Sequence, residues 1–281
     1  MAGKLYLCAT PIGNLGDITL RTLEVLRSVD LIAAEDTRVS IKLLNHFGIN
    51  KPLTSYYEHN KREKGQYLLQ KLLDGLSVAV ITDAGMPGIS DPGEDLVKLC
   101  IAHQVPLEVL PGPCAFATAL VGSGLATGRF AFEGFLSVNK KSRMQHLKSI
   151  RQDTRTLIFY EAPHKLRSTL QDMYAVLGER RIVLARELTK RFEEYIRTTF
   201  TEALLLYEET APKGEFIILI EGASAADLEE ERRAAQPQPQ DLLAQYAKAG
   251  ERGKALVSHV AEELGLPKKE VYACYLKWKA Q

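Results

Sequence analysis

Short apolar runs alternate with longer amphipathic stretches along the first part of the chain: KLYLCA (4–9), DLIAAE (30–35), SVAVIT (77–82) and PLEVLP (106–111). Between them, TLRTLEVLRSV (19–29), residues 37–47 and residues 60–73 place apolar side chains three and four positions apart, as helices covering a sheet do. That alternation predicts an α/β unit with largely parallel strands. Asp91, Pro92 and Glu94 predict a helix start, with an acidic N-cap, proline at the first helical position and a carboxylate at the third.

A second series follows: AFEGFL (131–136), TLIFYE (156–161), RIVLARE (181–187), EEYIRTTF (193–200) and EFIILIEG (215–222). The close spacing of its later runs predicts antiparallel pairing. The organisation expected is an N-terminal α/β domain over 1–117, a second α/β domain over 118–223, a linker over 224–240 and a helical unit over 241–281. The linker, SAADLEEERRAAQPQPQ, has almost no bulky apolar residue. In the last unit Gly265 and Pro267 separate two amphipathic stretches, a helix-turn-helix-like outline.

Composition narrows the function classes. With 46% hydrophobic and 25% charged residues in 281, the chain is an ordinary folded one, and its net charge of +1 excludes a uniformly basic nucleic-acid binder. Any RNA contact must come from local clusters. Cys8, Cys100, Cys114 and Cys274 lie far apart, so neither a disulfide framework nor a metal site is expected, and a reducing cytoplasm fits. The first apolar run ends at Pro11 and no run approaches the roughly 20 residues of a bilayer span, so no signal peptide or membrane anchor is expected.

Glycine and proline cluster just after predicted strands, in TPIGNLGD (10–17), TDAGMPGISDPG (82–93) and LPGPCA (110–115). Ligands of open α/β sheets bind outside the carboxyl ends of the strands, where turns free of bulky side chains bring backbone groups close. The dinucleotide signature G-x-G-x-x-G is absent after the first run, which continues CATPIGNLGD, and no P-loop occurs.

Taken together, residues 6–38, ITDAGMPGISDPG (81–93), VLPGPCA (109–115), FEGFL (132–136), FYEAPHKL (159–166), LARELTK (184–190) and KGEF (213–216) resemble the tetrapyrrole-methylase superfamily, and within it the members that methylate the RNA of the small ribosomal subunit. The resemblance runs in order from Lys4 to about Gly222. It implies a two-domain fold with a cofactor cleft between the domains, plus a small helical C-terminal domain. It further implies S-adenosylmethionine as cofactor, 2′-O-methylation of a cytidine in the decoding region of 16S rRNA, and a homodimer. Two alternatives stay open: methylation of a tetrapyrrole or precorrin, as other members of the superfamily perform, and a non-catalytic ribosome-assembly factor.

Position by position, the resemblance puts cofactor contacts on Asp83, Gly85, Met86, Pro87, Gly88 and Ile89, and on Pro113, Cys114 and Ala115. From the second domain it adds Tyr160, Glu161 and Ala162, then Glu187 and Leu188, and finally Gly214 and Glu215. Asp83 is expected to take a ligand role and Asp91 to cap a helix.

Methyl transfer to a hydroxyl needs alignment of the reactants and removal of a proton. The polar set Asn14, Asp17, Glu35, Asp36 and Arg38 lies at or after the ends of the first two strands. Asp17 or Glu35 could accept the proton and Arg38 could bind a phosphate; alternatively Asp17 caps a helix and Arg38 pairs with an acid. Glu133 and Arg129 are second candidates. Between Asn139 and Arg155 stand Lys140, Lys141, Arg143, Lys148, Arg151 and Arg155 against one acid, Asp153. That run is the best local footprint for RNA, and Lys268, Lys269, Lys277 and Lys279 against Glu270 form a second, unless each is only a solvated helix face.

Overall fold

In the computed structural model, which describes residues 2–226, 228–229 and 237–279, β1 (Leu5–Cys8), β2 (Leu31–Ala34), β3 (Leu53–Ser55), β4 (Val78–Ile81) and β5 (Leu107–Leu110) form an all-parallel sheet. The strand order is β3-β2-β4-β1-β5. Every residue of β2 and β4 is buried, because helices cover both faces of the sheet. On one face α1 (Leu20–Ser28) and α2 (Thr37–His46) bring Leu23, Leu26 and Leu44 onto Cys8, Ile32, Ile81 and Leu110. On the other α3 (Lys61–Leu73) and α4 (Glu94–Ala102) bring Leu68, Leu72, Leu96 and Cys100 onto Leu5, Leu7, Val78 and Val80.

The chain moves outward from β1 through β2 to β3, then returns for β4 and β5. The helix that follows β4 therefore lies on the opposite face from those that follow its neighbours β1 and β2. A crevice opens where the direction reverses, at the carboxyl end of β4.

α5 (Ala115–Ser123) leads into β6 (Phe130–Phe135), α6 (Lys140–Ser149), β7 (Thr156–Glu161), α7 (Leu166–Leu177), β8 (Arg181–Arg186), β9 (Glu194–Thr199), α8 (Phe200–Glu209) and β10 (Phe216–Ile220). The second sheet has the order β6-β7-β10-β8-β9. β7, β10, β8 and β9 pair antiparallel, as the close spacing of the later runs predicts, and β6 joins β7 in parallel. Leu147, Leu170, Met173 and Phe200 pack from α6, α7 and α8 against Phe159, Leu184, Phe216 and Ile218. α5 covers the other face with Ala119 and Leu120, joined there by Ile12 from the loop after β1. The division drawn at 117/118 thus falls inside α5.

Both sheets belong to one compact unit that ends at Gly222, and a second unit begins at Ala223. Within the second, α9 (Pro239–Lys248), α10 (Gly253–Leu264) and α11 (Lys268–Lys279) close around Leu243, Leu256, Val260 and Val271. The expected linker over 224–240 lies partly outside the described residues. Among the described residues no helix is long and apolar enough to cross a membrane.

Candidate active site

The three Gly/Pro turns converge at the reversal point of the first sheet. Thr10 and Gly85 exchange backbone hydrogen bonds at 2.9 and 3.0 Å, tying the turn after β1 to the turn after β4. Thr10, fully buried, also donates its hydroxyl to the Thr82 carbonyl at 3.0 Å. Gly85 adopts φ +85°, a left-handed conformation that L side chains rarely take, with the Ile12 side chain and the Pro113 carbonyl of the other two turns facing it. The loop is further bent by Ser90 at φ 64°.

A cavity of about 340 Å³ lies between these turns and the second sheet. Asp83, Ala84, Gly85, Met86, Ile89, Ser90 and Asp91 form one side, with Ile12, Glu35, Cys114 and Ala115 beside them. The opposite side is Phe135, Tyr160, Glu161 and Ala162, then Ala185, Glu187, Leu188 and Lys190, then Glu215, Phe216 and Ile217. The aromatic corner is rigid: the Tyr160 hydroxyl accepts from the Phe116 backbone N–H at 3.2 Å, and its ring meets those of Phe132 and Phe135 edge-on at 4.9 and 5.5 Å.

The wall is acidic, with Glu35, Asp83, Asp91, Glu161, Glu187 and Glu215 against Lys190, and Lys190 is itself paired with Glu187 at 3.1 Å. Glu161 is held by Thr169 at 2.5 Å and by the Ala162 N–H at 2.9 Å. Glu35 accepts from the Asp83 N–H at 3.3 Å, and Asp83 accepts from the Asp36 N–H at 3.2 Å. Burial pushes the carboxyls of Glu35 and Asp83 upward from their ordinary values. Asp91 is pushed up to about 7, first by burial and then by the negative charges of Glu35 and Asp83, with no hydrogen bond among the described residues to offset them.

Twelve of the sixteen residues expected to contact a cofactor therefore line this cavity, and Pro87, Gly88, Pro113 and Gly214 do not. Those four belong to the same turns, one or a few residues away from the lining side chains. Gly214 is packed by the Glu187 carboxyl, 2.5 Å from where a Cβ would stand. Asp91 does not cap α4: the helix starts at Glu94 behind Gly93, with no side-chain cap. It lines the cavity instead.

The catalytic candidates separate. Glu35 lines the cavity. Asp17 does not: it sits exposed in the short turn Leu15–Asp17, which Asn14 caps, and Thr19 caps α1. Arg38, its side chain 87% exposed, is held by Asp36 at 2.6 Å, the internal ion pair rather than a free cation. Glu133 is absent from the lining and bonds the His146 ring at 2.8 Å.

In the basic segment Lys140, Lys141 and Lys148 are exposed on α6. Arg143 is not available for RNA, because Asp172 at 2.7 Å and the carbonyls of Ser137 and Val138 take up its guanidinium. Arg155 is likewise paired with Asp153 at 2.5 Å. In the second unit Lys268 and Lys269 are exposed in the first turn of α11, where positive charge opposes the helix dipole and gives the helix no stability.

The turn that carries Leu188 and Lys190 into the cavity rests on a close contact that only glycine allows. A Cβ at Gly13 would stand 2.5 Å from Lys190 Cγ, 2.8 Å from Thr189 Oγ1 and 2.9 Å from the Leu188 carbonyl. Gly13→Ala is expected to push the 188–190 turn off the loop after β1 and to lower the affinity for a cavity ligand roughly tenfold, with overpacking costing about 1–3 kcal/mol. Calorimetry with the ligand and thermal melting check this; unchanged affinity would show that the contact does not shape the cavity.

A family model described as Tetrapyrrole (Corrin/Porphyrin) Methylases matches residues 4–204. A protein of Synechocystis sp. named ribosomal RNA small subunit methyltransferase I is 47% identical over 283 residues, covering 99% of each chain. Its namesake in Halalkalibacterium halodurans is 45% identical over 273 residues, 97% of this chain and 94% of its own. Among solved structures, uroporphyrin-III C-methyltransferase from Thermus thermophilus, complexed with S-adenosylhomocysteine, superposes with a TM-score of 0.56 at 19% identity, covering 77% of this chain and 97% of that one.

Proposed function

Since the chain belongs to the tetrapyrrole (corrin/porphyrin) methylase family, we propose that it transfers a methyl group from S-adenosylmethionine to the RNA of the small ribosomal subunit. The acceptor is the 2′-hydroxyl of a cytidine in the decoding region of 16S rRNA, and the protein works in the cytoplasm as a homodimer. The names of relatives that share 45–47% of their residues over nearly their whole lengths support the RNA substrate.

The acidic cavity carries the cofactor assignment. Six carboxylates against one paired lysine favour a cationic ligand in a partly desolvated space, and they disfavour a bare phosphate. Bound there, S-adenosylmethionine supplies a sulfonium-activated methyl group. Asp83 would hold its ribose or amino group, and Met86, Ile89, Phe135 and Tyr160, which line the same cavity, would offer apolar surface to its adenine. A new oxygen–carbon bond replaces the sulfur–carbon bond, and the hydroxyl proton must leave. Glu35, Asp83 and Asp91 form a mutually repelling group whose raised proton affinity suits it to accept that proton.

The test is methyl-labelled S-adenosylmethionine offered with purified small ribosomal subunits or with a precorrin. Label is expected in 16S rRNA, as an alkali-resistant 2′-O-methylated cytidine in the decoding region. Label entering only the precorrin would overturn the RNA assignment, and calorimetry showing no affinity for the cofactor would overturn the enzymatic one.

A further inference from the structure

A second cavity, of about 330 Å³, adjoins the first on the α2 side of the crevice. Pro11, Gly13 and Leu15 from the loop after β1, Thr82 and Asp83 from the end of β4, and one stripe of α2 enclose it. The α2 stripe is Val39, Lys42, Leu43 and His46, residues three and four apart that lie on one face of the helix. Ser40 also lines it: the residue is 2% exposed and its hydroxyl has no hydrogen-bond partner among the described residues.

The two cavities differ in charge. The first presents six carboxylates and a paired lysine; the second presents Lys42 and His46, with a single acid, Asp83, which is common to both. Leu15 and Val39 add large apolar side chains about two-fifths exposed, a surface that core packing does not account for. A ligand suited to this space is anionic at one end, flat and apolar at the other, and carries a hydroxyl that meets Asp83. A ribonucleotide within an RNA strand has those properties.

We propose that the second cavity receives the acceptor nucleotide, with its phosphate on Lys42 and His46, its base against Leu15, Val39 and Leu43, and its ribose 2′-hydroxyl at Asp83. This rests on the functional reading above and adds where the RNA enters. Donor and acceptor then meet beside Asp83, which lines both cavities and stands with Glu35 and Asp91 in the carboxylate group that takes the proton.

Two variants at exposed positions test it, Val39→Trp to fill the space and Lys42→Glu to reverse its charge, each assayed for methylation of small subunits and for cofactor affinity by calorimetry. Each is expected to raise KM for the subunit about tenfold, the effect of losing one phosphate or stacking contact, with cofactor affinity within twofold of the parent. If the parent protein methylates subunits and both variants keep its KM, the cavity assignment is overturned while the functional reading stands. Parallel loss of cofactor affinity in both variants would also overturn it, since the two cavities would then serve one ligand. A parent protein that leaves subunits unmethylated would overturn the functional reading, and the acceptor assignment with it.

Discussion

Asp91→Asn is expected to slow methyl transfer by about 10²–10³-fold at pH 8 and to remove the rise in rate with pH centred near 7, while cofactor affinity falls little. A positioned general base contributes roughly 10²–10⁴-fold, and Asp91 is the member of the carboxylate group with proton affinity near neutrality, at about 7. The same substitution should stabilise the fold. A carboxyl held at about 7 in the folded chain and near 3.8 in the unfolded one contributes fully below the lower value; its contribution is lost as pH rises to about 7, because the folded chain must then ionise a group it prefers neutral. Asparagine escapes that loss. The variant's Tm should therefore match the parent's near pH 4, exceed it increasingly up to pH 7, and stay above it beyond, by roughly 2–4 °C for each kcal/mol regained. Parental activity in the variant, or a variant less stable at pH 8, would remove Asp91 from the proposed chemistry.

That Asp91 had to be found in the structure shows where local patterns stop being informative. The sequence SDPGE has every mark of a helix start, yet the turn from Thr82 runs through left-handed backbone at Gly85, Gly88 and Ser90. The helix then begins three residues after Asp91, behind Gly93, and the acid is left facing the cavity. Its environment depends on Glu35, 56 positions earlier in the chain, which no local window contains. The runs that became β1, β2 and β4 were legible because central parallel strands are buried on both faces and so read as continuous apolar stretches; β5, at the other edge, was marked instead by its bounding prolines, Pro106 and Pro111. β3 was not legible: Leu53–Ser55 is three residues, only partly buried, at the sheet edge and directly after Pro52. The cofactor turns were legible through glycine and proline, whereas Ala185, Phe216 and Ile217 reach the cavity as ordinary strand residues beside recognised motif positions. For Ala185 and Ile217 the alternation with the core-facing Leu184 and Ile218 was the available signal, whereas Phe216 lies on the core face itself.

The basic segment makes the same point and leads to the second large effect. Charge counting treats Lys140, Lys141, Arg143 and Lys148 alike, but Arg143 is 14% exposed and bound to Asp172, 29 residues away on α7. Arg143→Glu would set two carboxylates against each other and leave the carbonyls of Ser137 and Val138 without their donor. Leaving hydrogen-bonded groups of such a half-buried pair without their partners costs about 1–3 kcal/mol or more, so that variant would lose RNA binding, cofactor binding and thermal stability together. The triple change Lys140→Glu, Lys141→Glu, Lys148→Glu touches only exposed side chains. If these lysines meet RNA phosphates, affinity for the small subunit should fall about 10–100-fold at 50 mM salt, and the slope of log K against log salt should flatten by about 2–3, since each contact contributes roughly 0.7–0.9 to it. Tm and cofactor affinity should not move. Binding measured over a salt series separates the outcomes: a lower affinity with the slope unchanged would mean a shape defect rather than lost ion contacts, and parental affinity with the parental slope would place the RNA on another face of the protein.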